Sequence, residues 1–267
     1  MNRLTKLFQQ KDRNLLSVYF TAGYPNLDST GKIIRSLEAN GIDMIEVGVP
    51  FSDPMADGVV IQQSGTKALQ NGMTLPLLLE QVKEVRQDCR IPLVLMGYLN
   101  PVMQYGPEKL FRYCKEIGVD AMIIPDLPFH EYMEHYKALC ERYDIPLIML
   151  ITPETSEERI RLIDENCGGF IYMVSSASTT GVRDRFTDEQ IAYFREIDDL
   201  KLRNKRLIGF GISNESTRSV ASRYSHGVIV GSLFIKCLGN VRRWMKLPPA
   251  CWKNCKNERE IQRRRMK

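Results

Sequence analysis

The sequence contains no apolar segment long enough to cross a membrane. Its longest apolar runs, Ile145–Ile151 and Val119–Pro125, have the length of a strand, whereas a membrane-spanning helix needs about 20 apolar residues. The first six residues, Met1 to Lys6, lead into a polar stretch instead of the apolar core of a signal peptide. We therefore expect a cytoplasmic protein that does not act at a membrane.

The patterns that organise disulfides, metal ions or a nucleophilic serine are also missing. The seven cysteines are odd in number and scattered, which predicts free thiols. His130 and His135 stand five positions apart and would diverge by about 140° on a helix, so we expect them at the surface and not on a metal ion. Cys251 and Cys255 lack two further ligands at zinc-finger spacing, and no Gly-x-Ser-x-Gly elbow occurs.

No basic strip interleaved with aromatic residues runs along the chain, although the formal net charge is +5. Residues 240–267 contain ten Lys/Arg and two Glu, which leaves 27 Lys/Arg and 30 Asp/Glu in residues 1–239. The body is therefore mildly acidic, and the positive balance belongs to a C-terminal tail. This distribution argues against a nucleic-acid-binding face.

Short apolar runs rich in β-branched residues alternate about eight times with segments of helical spacing. The predicted strands are Leu15–Phe20, Met44–Val49, Leu93–Tyr98, Ala121–Ile124, Leu147–Ile151, Phe170–Val174, Leu207–Gly209 and Val228–Val230. The predicted helices are Leu27–Ala39, Leu75–Asp88, Glu108–Ile117, Glu131–Arg142, Glu157–Asn166, Asp188–Leu200 and Glu215–Arg223. Eight such units in 267 residues favour a single (β/α)8 TIM barrel over residues 1–239. An open doubly wound sheet uses the same units, but no Gly-x-Gly-x-x-Gly follows the first strand.

Polar residues at the carboxyl ends of barrel strands are the candidates for catalysis, because the active site of this fold lies there. Glu46 is a lone carboxylate in an apolar strand, where burial would raise its pKa into the range of a general acid or base. A structural Glu paired with a buried cation is the alternative. Asp57 lies in the following loop, where it is either a second carboxylate of the site or part of an ordinary Asp-Gly turn. Tyr172, in the sixth strand, is either a site residue or a core residue.

Glycines cluster after the last three strands. Thr180 and Gly181 follow strand six, Gly211 follows strand seven, and Gly231 with Ser232 follows strand eight. Each glycine alone fits a plain turn. Because glycine lets backbone N–H groups approach an anion at this end of a barrel, their coincidence predicts a bound phosphate group.

Several segments together resemble the tryptophan synthase alpha subunit family, over about residues 1–239. The most specific segment is residues 45–58, Ile-Glu-Val-Gly-Val-Pro-Phe-Ser-Asp-Pro-Met-Ala-Asp-Gly. Supporting segments are residues 19–25, 96–101, 125–128, 171–175, 180–181 and 209–213. Residues 176–181 read Ser-Ala-Ser-Thr-Thr-Gly where the family commonly has Arg-Ala-Gly-Val-Thr-Gly.

The resemblance implies a lyase of tryptophan biosynthesis that cleaves indole-3-glycerol phosphate into indole and glyceraldehyde 3-phosphate by a retro-aldol reaction. Glu46 would be the general acid/base, Asp57 would bind the indole N–H, and Tyr172 would lie beside them. Phe20, Tyr98 and Leu127 would contact the indole, whereas Thr180, Gly181, Gly211, Gly231 and Ser232 would form the phosphate end of the substrate site. No metal or organic cofactor is implied.

The resemblance also implies a partner, a pyridoxal-phosphate-dependent beta subunit in an alpha2beta2 heterotetramer. The loops at residues 51–58 and 175–185 would close over the substrate and respond to this partner. Two alternatives remain at this stage. One is a related phosphate-binding barrel that isomerises phosphorylated sugars or tryptophan-pathway intermediates, and the other is a catalytically impaired barrel that binds and modulates a beta subunit.

The C-terminal tail, residues 240–267, departs from the family pattern. Residues 233–238 begin the expected amphipathic helix, but from Val241 onward the sequence contains Pro248 and Pro249, is strongly basic and lacks a helical apolar period. A frameshift or a truncated gene product would each give such a sequence. We expect an atypical basic tail that packs poorly on the barrel.

Overall fold

The protein is described by a computed structural model that covers residues 2–175 and 185–239. Eight parallel strands close into a barrel in which each strand pairs with the next and β8 pairs with β1. The strands are β1 (Leu15–Thr21), β2 (Met44–Gly48), β3 (Leu93–Met96), β4 (Ala121–Ile123), β5 (Leu147–Ile151), β6 (Phe170–Val174), β7 (Lys205–Gly209) and β8 (Gly227–Val230). The predicted TIM barrel is confirmed, and the open doubly wound sheet is excluded.

Helices connect the strands and surround the barrel. They are α1 (Arg3–Gln10), α2 (Ser29–Ala39), α3 (Val59–Gln70), α4 (Leu75–Val85), α5 (Leu99–Tyr105), α6 (Pro107–Ile117), α7 (Phe129–Glu131), α8 (Lys137–Tyr143), α9 (Glu157–Asn166), α10 (Asp188–Asp199), α11 (Glu215–Tyr224) and α12 (Ser232–Leu238). Within the described residues, none of them is long and apolar enough to cross a membrane.

One predicted helix differs in kind from the expectation. The segment predicted as a single helix, Glu131–Arg142, contains a π-helical turn at Tyr132–Tyr136 that separates α7 from α8. Tyr132 and Tyr136, at the two ends of this turn, are buried, whereas His130 and His135 are exposed as predicted. Tyr132 and Tyr136 both belong to the apolar layer between the strands and the helices.

The apolar residues form two layers that follow the two faces of the strands. An inner layer fills the barrel and includes Leu15, Met44 and Leu207. An outer layer lies between the strands and the helices and includes Val18, Ile45 and Ile208. Neighbouring residues of one strand thus belong to different layers, as the alternation of side chains along a strand requires. A strand residue of the inner layer points into the barrel interior, whereas a strand residue of the outer layer points toward the helices.

The amino-terminal end of the barrel is closed by α1. Asn2 caps this helix by accepting a hydrogen bond from the Thr5 backbone N–H at 2.9 Å. Leu4 is 1% exposed and belongs to the inner layer, and Phe8 packs edge-on against Phe170 of β6. The opposite end of the barrel, where the strands end, is therefore the end open to a ligand.

Candidate active site

Glu46 lies in the interior of the barrel, on the same face of β2 as Met44. Its side chain is fully buried, and burial raises the pKa of the carboxyl to about 8. The Ser17 hydroxyl donates a hydrogen bond to Oε1 at 2.8 Å, whereas Oε2 has no hydrogen-bond partner among the described residues. The alternative of a structural ion pair is excluded, because no cation of the described part of the chain forms a salt bridge with Glu46.

The loop after β2 turns Asp57 inward, so that the side chain is only 8% exposed. The Tyr98 hydroxyl accepts a hydrogen bond from the Ala56 N–H at 3.0 Å and donates one to Asp57 Oδ2 at 3.1 Å. Gln62 Nε2 donates to the Asp57 backbone carbonyl at 2.8 Å. Burial raises the pKa of Asp57 to about 6, and the hydrogen bond from Tyr98 offsets part of that effect. Asp57 is therefore more than a turn residue.

Tyr172 of β6 places its ring in the barrel interior, as part of the inner layer. Its pKa is raised well above the ordinary value by burial and by the nearby charges of Glu46 and Asp57. A Cβ atom at Gly209 would overlap the Tyr172 hydroxyl, so the glycine at the end of β7 is what makes room for the tyrosine. Phe210 packs edge-on against the same ring at a centroid distance of 6.2 Å. The structure thus brings Glu46, Asp57, Tyr98 and Tyr172 together.

The prediction for Phe20 is corrected. Phe20 is fully buried in the outer layer together with Ile33 and Ile34 of α2, so it faces away from the barrel interior. Its neighbour Tyr19 is the inward-facing residue and pairs with Glu46 in the register of β1 and β2. Burial and the charges of Asp57 and Glu46 raise the pKa of the Tyr19 hydroxyl.

Tyr19 is a site residue that the sequence reasoning missed. A Cβ atom at Gly231 would lie 3.5 Å from its ring, and a Cβ atom at Gly48 would overlap its hydroxyl. Its ring therefore spans the space from the end of β8 to the end of β2. The observation that identifies Tyr19 is its position opposite Glu46 in the register of β1 and β2, which the sequence alone does not give.

The prediction for Leu127 is also corrected. Leu127 is buried in the outer layer with Ile124, whereas the inward-facing residue of that strand is Ile123. Leu127 lies four positions after Ile123, in the turn that follows β4, where the Leu127 N–H donates a hydrogen bond to the Ile124 carbonyl at 3.1 Å. The alternation of a strand no longer applies there, and the turn places the Leu127 side chain in the outer layer. Ile123 and Met96 are the inner-layer residues of β4 and β3 nearest the open end.

The predicted phosphate residues lie after two neighbouring strands. Gly211 follows β7 with a φ of +73°, and a Cβ atom there would lie 3.2 Å from the Phe186 ring and 3.3 Å from Ser175 Oγ. Gly231 follows β8, and Ser232 begins α12. Because β7 pairs with β8, the residues after these strands share one side of the open end. Thr180 and Gly181 lie outside the described residues, as do residues 240–267.

Taken together, the site holds two inward-facing carboxylates whose pKa values are raised by burial to different extents. Such a pair provides, at one pH, a neutral acid and an ionised base. Three tyrosine rings surround the carboxylates, and two glycine-containing strand ends lie to one side. Among the described residues there is no group of His, Cys, Asp and Glu that could hold a metal ion. The arrangement suits proton transfer to a flat aromatic ligand that carries an anionic group.

Comparison with known proteins gives one consistent result. The sequence profile of the tryptophan synthase alpha chain family matches residues 5–262. The tryptophan synthase alpha chain of Bacteroides fragilis is 57% identical over 238 residues, which cover 89% of this chain and 90% of that protein. The alpha chain of Parabacteroides distasonis is 58% identical and covers 89% of this chain and 93% of its own length.

A solved structure agrees with the sequence relatives. The crystal structure of tryptophan synthase subunit alpha from Legionella pneumophila superposes with a TM-score of 0.82 at 30% identity, covering 94% of each chain. Identity above one half across most of the sequence is the decisive observation. This chain therefore belongs to the tryptophan synthase alpha chain family.

Proposed function

We propose that Glu46 and Asp57 are the two catalytic carboxylates with which this lyase cleaves indole-3-glycerol phosphate into indole and glyceraldehyde 3-phosphate. The family membership supplies the activity and the substrate. The observation that carries the residue assignment is the fully buried Glu46 with one unpartnered carboxyl oxygen, beside a second inward-facing carboxylate. An unpartnered oxygen is costly to bury, and it is available to exchange a proton with a substrate.

The different pKa values of Glu46 and Asp57 give the two groups different roles. At pH 7 Glu46, with a pKa of about 8, is mainly protonated, whereas Asp57, with a pKa of about 6, is mainly ionised. Glu46 therefore begins the reaction as the acid. Asp57 begins it as the anion that accepts a hydrogen bond from the indole N–H and stabilises positive charge on the ring.

The cleavage follows in two proton transfers. Glu46 gives its proton to the ring carbon that bears the glycerol phosphate chain, which converts the indole into a cationic indolenine beside Asp57. The ionised Glu46 then takes the proton of the chain hydroxyl next to that carbon. The carbon–carbon bond breaks, its electron pair returns to the ring, and the hydroxyl carbon becomes the aldehyde of glyceraldehyde 3-phosphate. Glu46 ends protonated, ready for the next cycle.

The remaining residues bind the substrate. The rings of Tyr98, Tyr172 and Tyr19 border the space beside the carboxylates, where the flat indole fits. The backbone N–H groups near Gly211, Gly231 and Ser232 bind the phosphate, together with Thr180 and Gly181. Adjacent strand ends at β7 and β8 support this assignment, because this is the usual phosphate position in barrels of this fold.

Substitution of each carboxylate tests the assignment. Glu46→Gln is expected to keep the fold and to lower kcat for indole formation by at least about 100-fold, the usual cost of a lost general acid/base. Asp57→Asn is expected to impair the same step while leaving phosphate affinity unchanged. In the unmodified enzyme, kcat/KM should rise with pH as Asp57 ionises near pH 6 and fall as Glu46 ionises near pH 8. Near-normal turnover of Glu46→Gln would reject the assignment.

The family acts together with a beta subunit, and we infer that this chain forms the alpha2beta2 heterotetramer. Three exposed apolar side chains lie in the segments that follow β2 and β3 and support a docking surface there, Met55 at 93%, Val59 at 66% and Met103 at 61% exposure. Met55 and Val59 flank Asp57 in the chain, so a partner on this surface would touch the loop that carries a catalytic group. Partner binding is expected to favour the closed loop and to raise the rate.

Titration with a cognate beta subunit tests this coupling. The lyase rate should rise to a plateau, and limited proteolysis at residues 51–58 should slow. Met55→Ser should weaken the coupling without changing the basal rate of the isolated chain. A saturating beta subunit that alters neither rate nor proteolysis would refute it.

A further inference from the structure

Ser17 is a polar residue at an apolar position of the barrel interior. It lies in β1 opposite Met44 of β2 and Ile229 of β8, both of which belong to the apolar inner layer. Its side chain is fully buried. A buried hydroxyl without a hydrogen bond is destabilising, so the partner of this hydroxyl matters to the fold as well as to the site.

The Ser17 hydroxyl is hydrogen-bonded to Glu46, at 2.8 Å from Oγ to Oε1. Glu46 pairs with Tyr19, so Ser17 is the inward-facing residue one step nearer the closed end of the barrel. The contact therefore holds Glu46 from below, on the side away from the opening. The other carboxyl oxygen, Oε2, has no partner in the part of the chain that the structure describes.

This contact makes the two oxygens of Glu46 unequal. A serine hydroxyl has a single proton to donate, and here it is committed to Oε1. When Glu46 is neutral, its own proton then belongs on Oε2, the oxygen that is left for the substrate. When Glu46 is ionised, the hydroxyl stabilises the charge, which opposes the effect of burial on the carboxyl.

No other group in the described residues replaces this hydrogen bond. The titratable groups close to Glu46 are the hydroxyls of Tyr19 and Tyr172, both of which also lie near the carboxylate of Asp57. Both tyrosines remain neutral, because burial and the nearby carboxylates raise the pKa of each hydroxyl. Ser17 is thus the side chain that fixes the orientation of the catalytic carboxyl.

We propose that Ser17 is a positioning residue that anchors Glu46 through Oε1 and thereby directs the transferable proton to Oε2. The proposal rests on the function proposed above for Glu46. It predicts an effect on the proton-transfer step and not on substrate affinity, because the Ser17 hydroxyl is hydrogen-bonded to Glu46, on the side of the carboxyl away from the opening.

Ser17→Ala is the test, with pH profiles of indole-3-glycerol phosphate cleavage as the main measurement. Loss of one hydrogen bond to a charged group is expected to lower kcat about tenfold, with KM changed less than about twofold. Because the lost bond favours the ionised carboxyl, the alkaline fall of kcat/KM should move upward by about one pH unit. Ser17→Thr, which keeps the hydroxyl, should retain the original pH profile.

Ser64→Ala is the matched control. Ser64 is a second buried serine close to β1, and its hydroxyl is hydrogen-bonded to Thr21 at 2.7 Å and not to Glu46. This variant should keep the normal kcat and pH profile. Thermal melting of all variants checks that each is folded.

The outcomes separate this inference from the function on which it rests. If Glu46→Gln is inactive but Ser17→Ala matches the unmodified enzyme in kcat and pH profile, the positioning role is rejected and the function stands. If Ser17→Ala changes only KM, or if Ser64→Ala shifts the profile equally, the role is likewise rejected. If Glu46→Gln retains turnover, the function itself fails.

Discussion

At the scale of single residues, burial of the proposed catalytic carboxyl, Glu46, has a cost to stability. The folded protein keeps a proton on Glu46 up to about pH 8, whereas the unfolded chain loses it near the ordinary pKa of 4.5. The folded state therefore binds more protons than the unfolded state between these pH values, and the free energy of unfolding decreases as the pH rises through this range. The cost of ionised Glu46 is on the order of 5 kcal/mol, at about 1.4 kcal/mol per pKa unit.

Glu46→Gln should consequently make the protein more stable in alkaline solution while making it inactive. Its melting temperature should exceed that of the unmodified protein at about pH 9, and the difference should shrink at about pH 5, where both side chains are neutral. Melting curves at several pH values measure this. Glu158→Gln, at an exposed position of α9, is the control and should show no such divergence. If the melting temperatures of Glu46→Gln and of the unmodified protein changed in parallel with pH, the cost of burying the ionised Glu46 would be contradicted.

Single residues also show which parts of the candidate site could be predicted from the sequence and which could not. Glu46, Asp57 and Tyr172 could be predicted to be candidate site residues because each breaks a local pattern, as a carboxylate or hydroxyl among apolar residues or a second acid in a turn, and the structure buries all three. Phe20 lies one position from the inward-facing Tyr19 on β1, whereas Leu127 lies in the turn after β4, and both belong to the outer layer. An aromatic or aliphatic side chain fits both layers equally well, so composition alone does not decide between them. The register that places Tyr19 opposite Glu46 is visible only in the structure.

At the scale of secondary structure, the strands were the predictable elements and several helices were not. Strand boundaries agree within two residues, because buried parallel strands are continuous apolar runs bounded by polar residues. The first, third and fifth helices were not predicted. The helix α3, Val59–Gln70, buries only Ser64, Gly65 and Ala68, so it lacks the stripe of large apolar residues by which amphipathic helices are found.

The helix α1 acts as a plug at the closed end of the barrel, and one residue carries most of its burial. Leu4→Ala should lower the free energy of unfolding by about 2–5 kcal/mol, because it leaves a cavity beneath the inner layer. Urea denaturation followed by circular dichroism measures the change. Leu162→Ala in α9 is the matched control, since Leu162 is 39% exposed and its truncation should cost about 0.5 kcal/mol or less. Equal costs for the two would show that α1 does not seal the barrel.

At the scale of the whole molecule, the barrel ends with a short helix before the basic tail. Phe234, Ile235 and Leu238 of α12 are each at most 2% exposed and belong to the outer layer. Residues of α12, which precede Gly239, therefore cover apolar surface outside β1. This supports the interpretation of residues 1–239 as the folded domain. The interpretation of residues 240–267 as a poorly packed tail stays a prediction.

Removal of the tail is expected to change stability little. Deleting residues 241–267 should shift the melting temperature by less than about 4 °C, the shift that about 1 kcal/mol produces in a domain of this size. Lyase activity should be retained. Extending the deletion to residue 233 removes the buried face of α12 and should lower the melting temperature much further, which makes it the positive control. A large fall in the melting temperature on deleting residues 241–267 alone would show that the tail packs on the barrel.

The pairing of β1 with β8 also sets the order in which the protein can be completed during synthesis. Leu15 of β1 pairs with Gly227 of β8, so β1, the first strand to be synthesised, cannot complete its pairing until β8, the last strand, has been synthesised. Until then the growing sheet has two open edges, each a row of unpaired backbone groups able to pair with another chain. Bringing such distant segments together carries a large loop-closure entropy and slows folding. A nascent chain of this protein is thus most exposed to aggregation just before residue 230 is added, and its yield in cells should depend on chaperones acting at that moment.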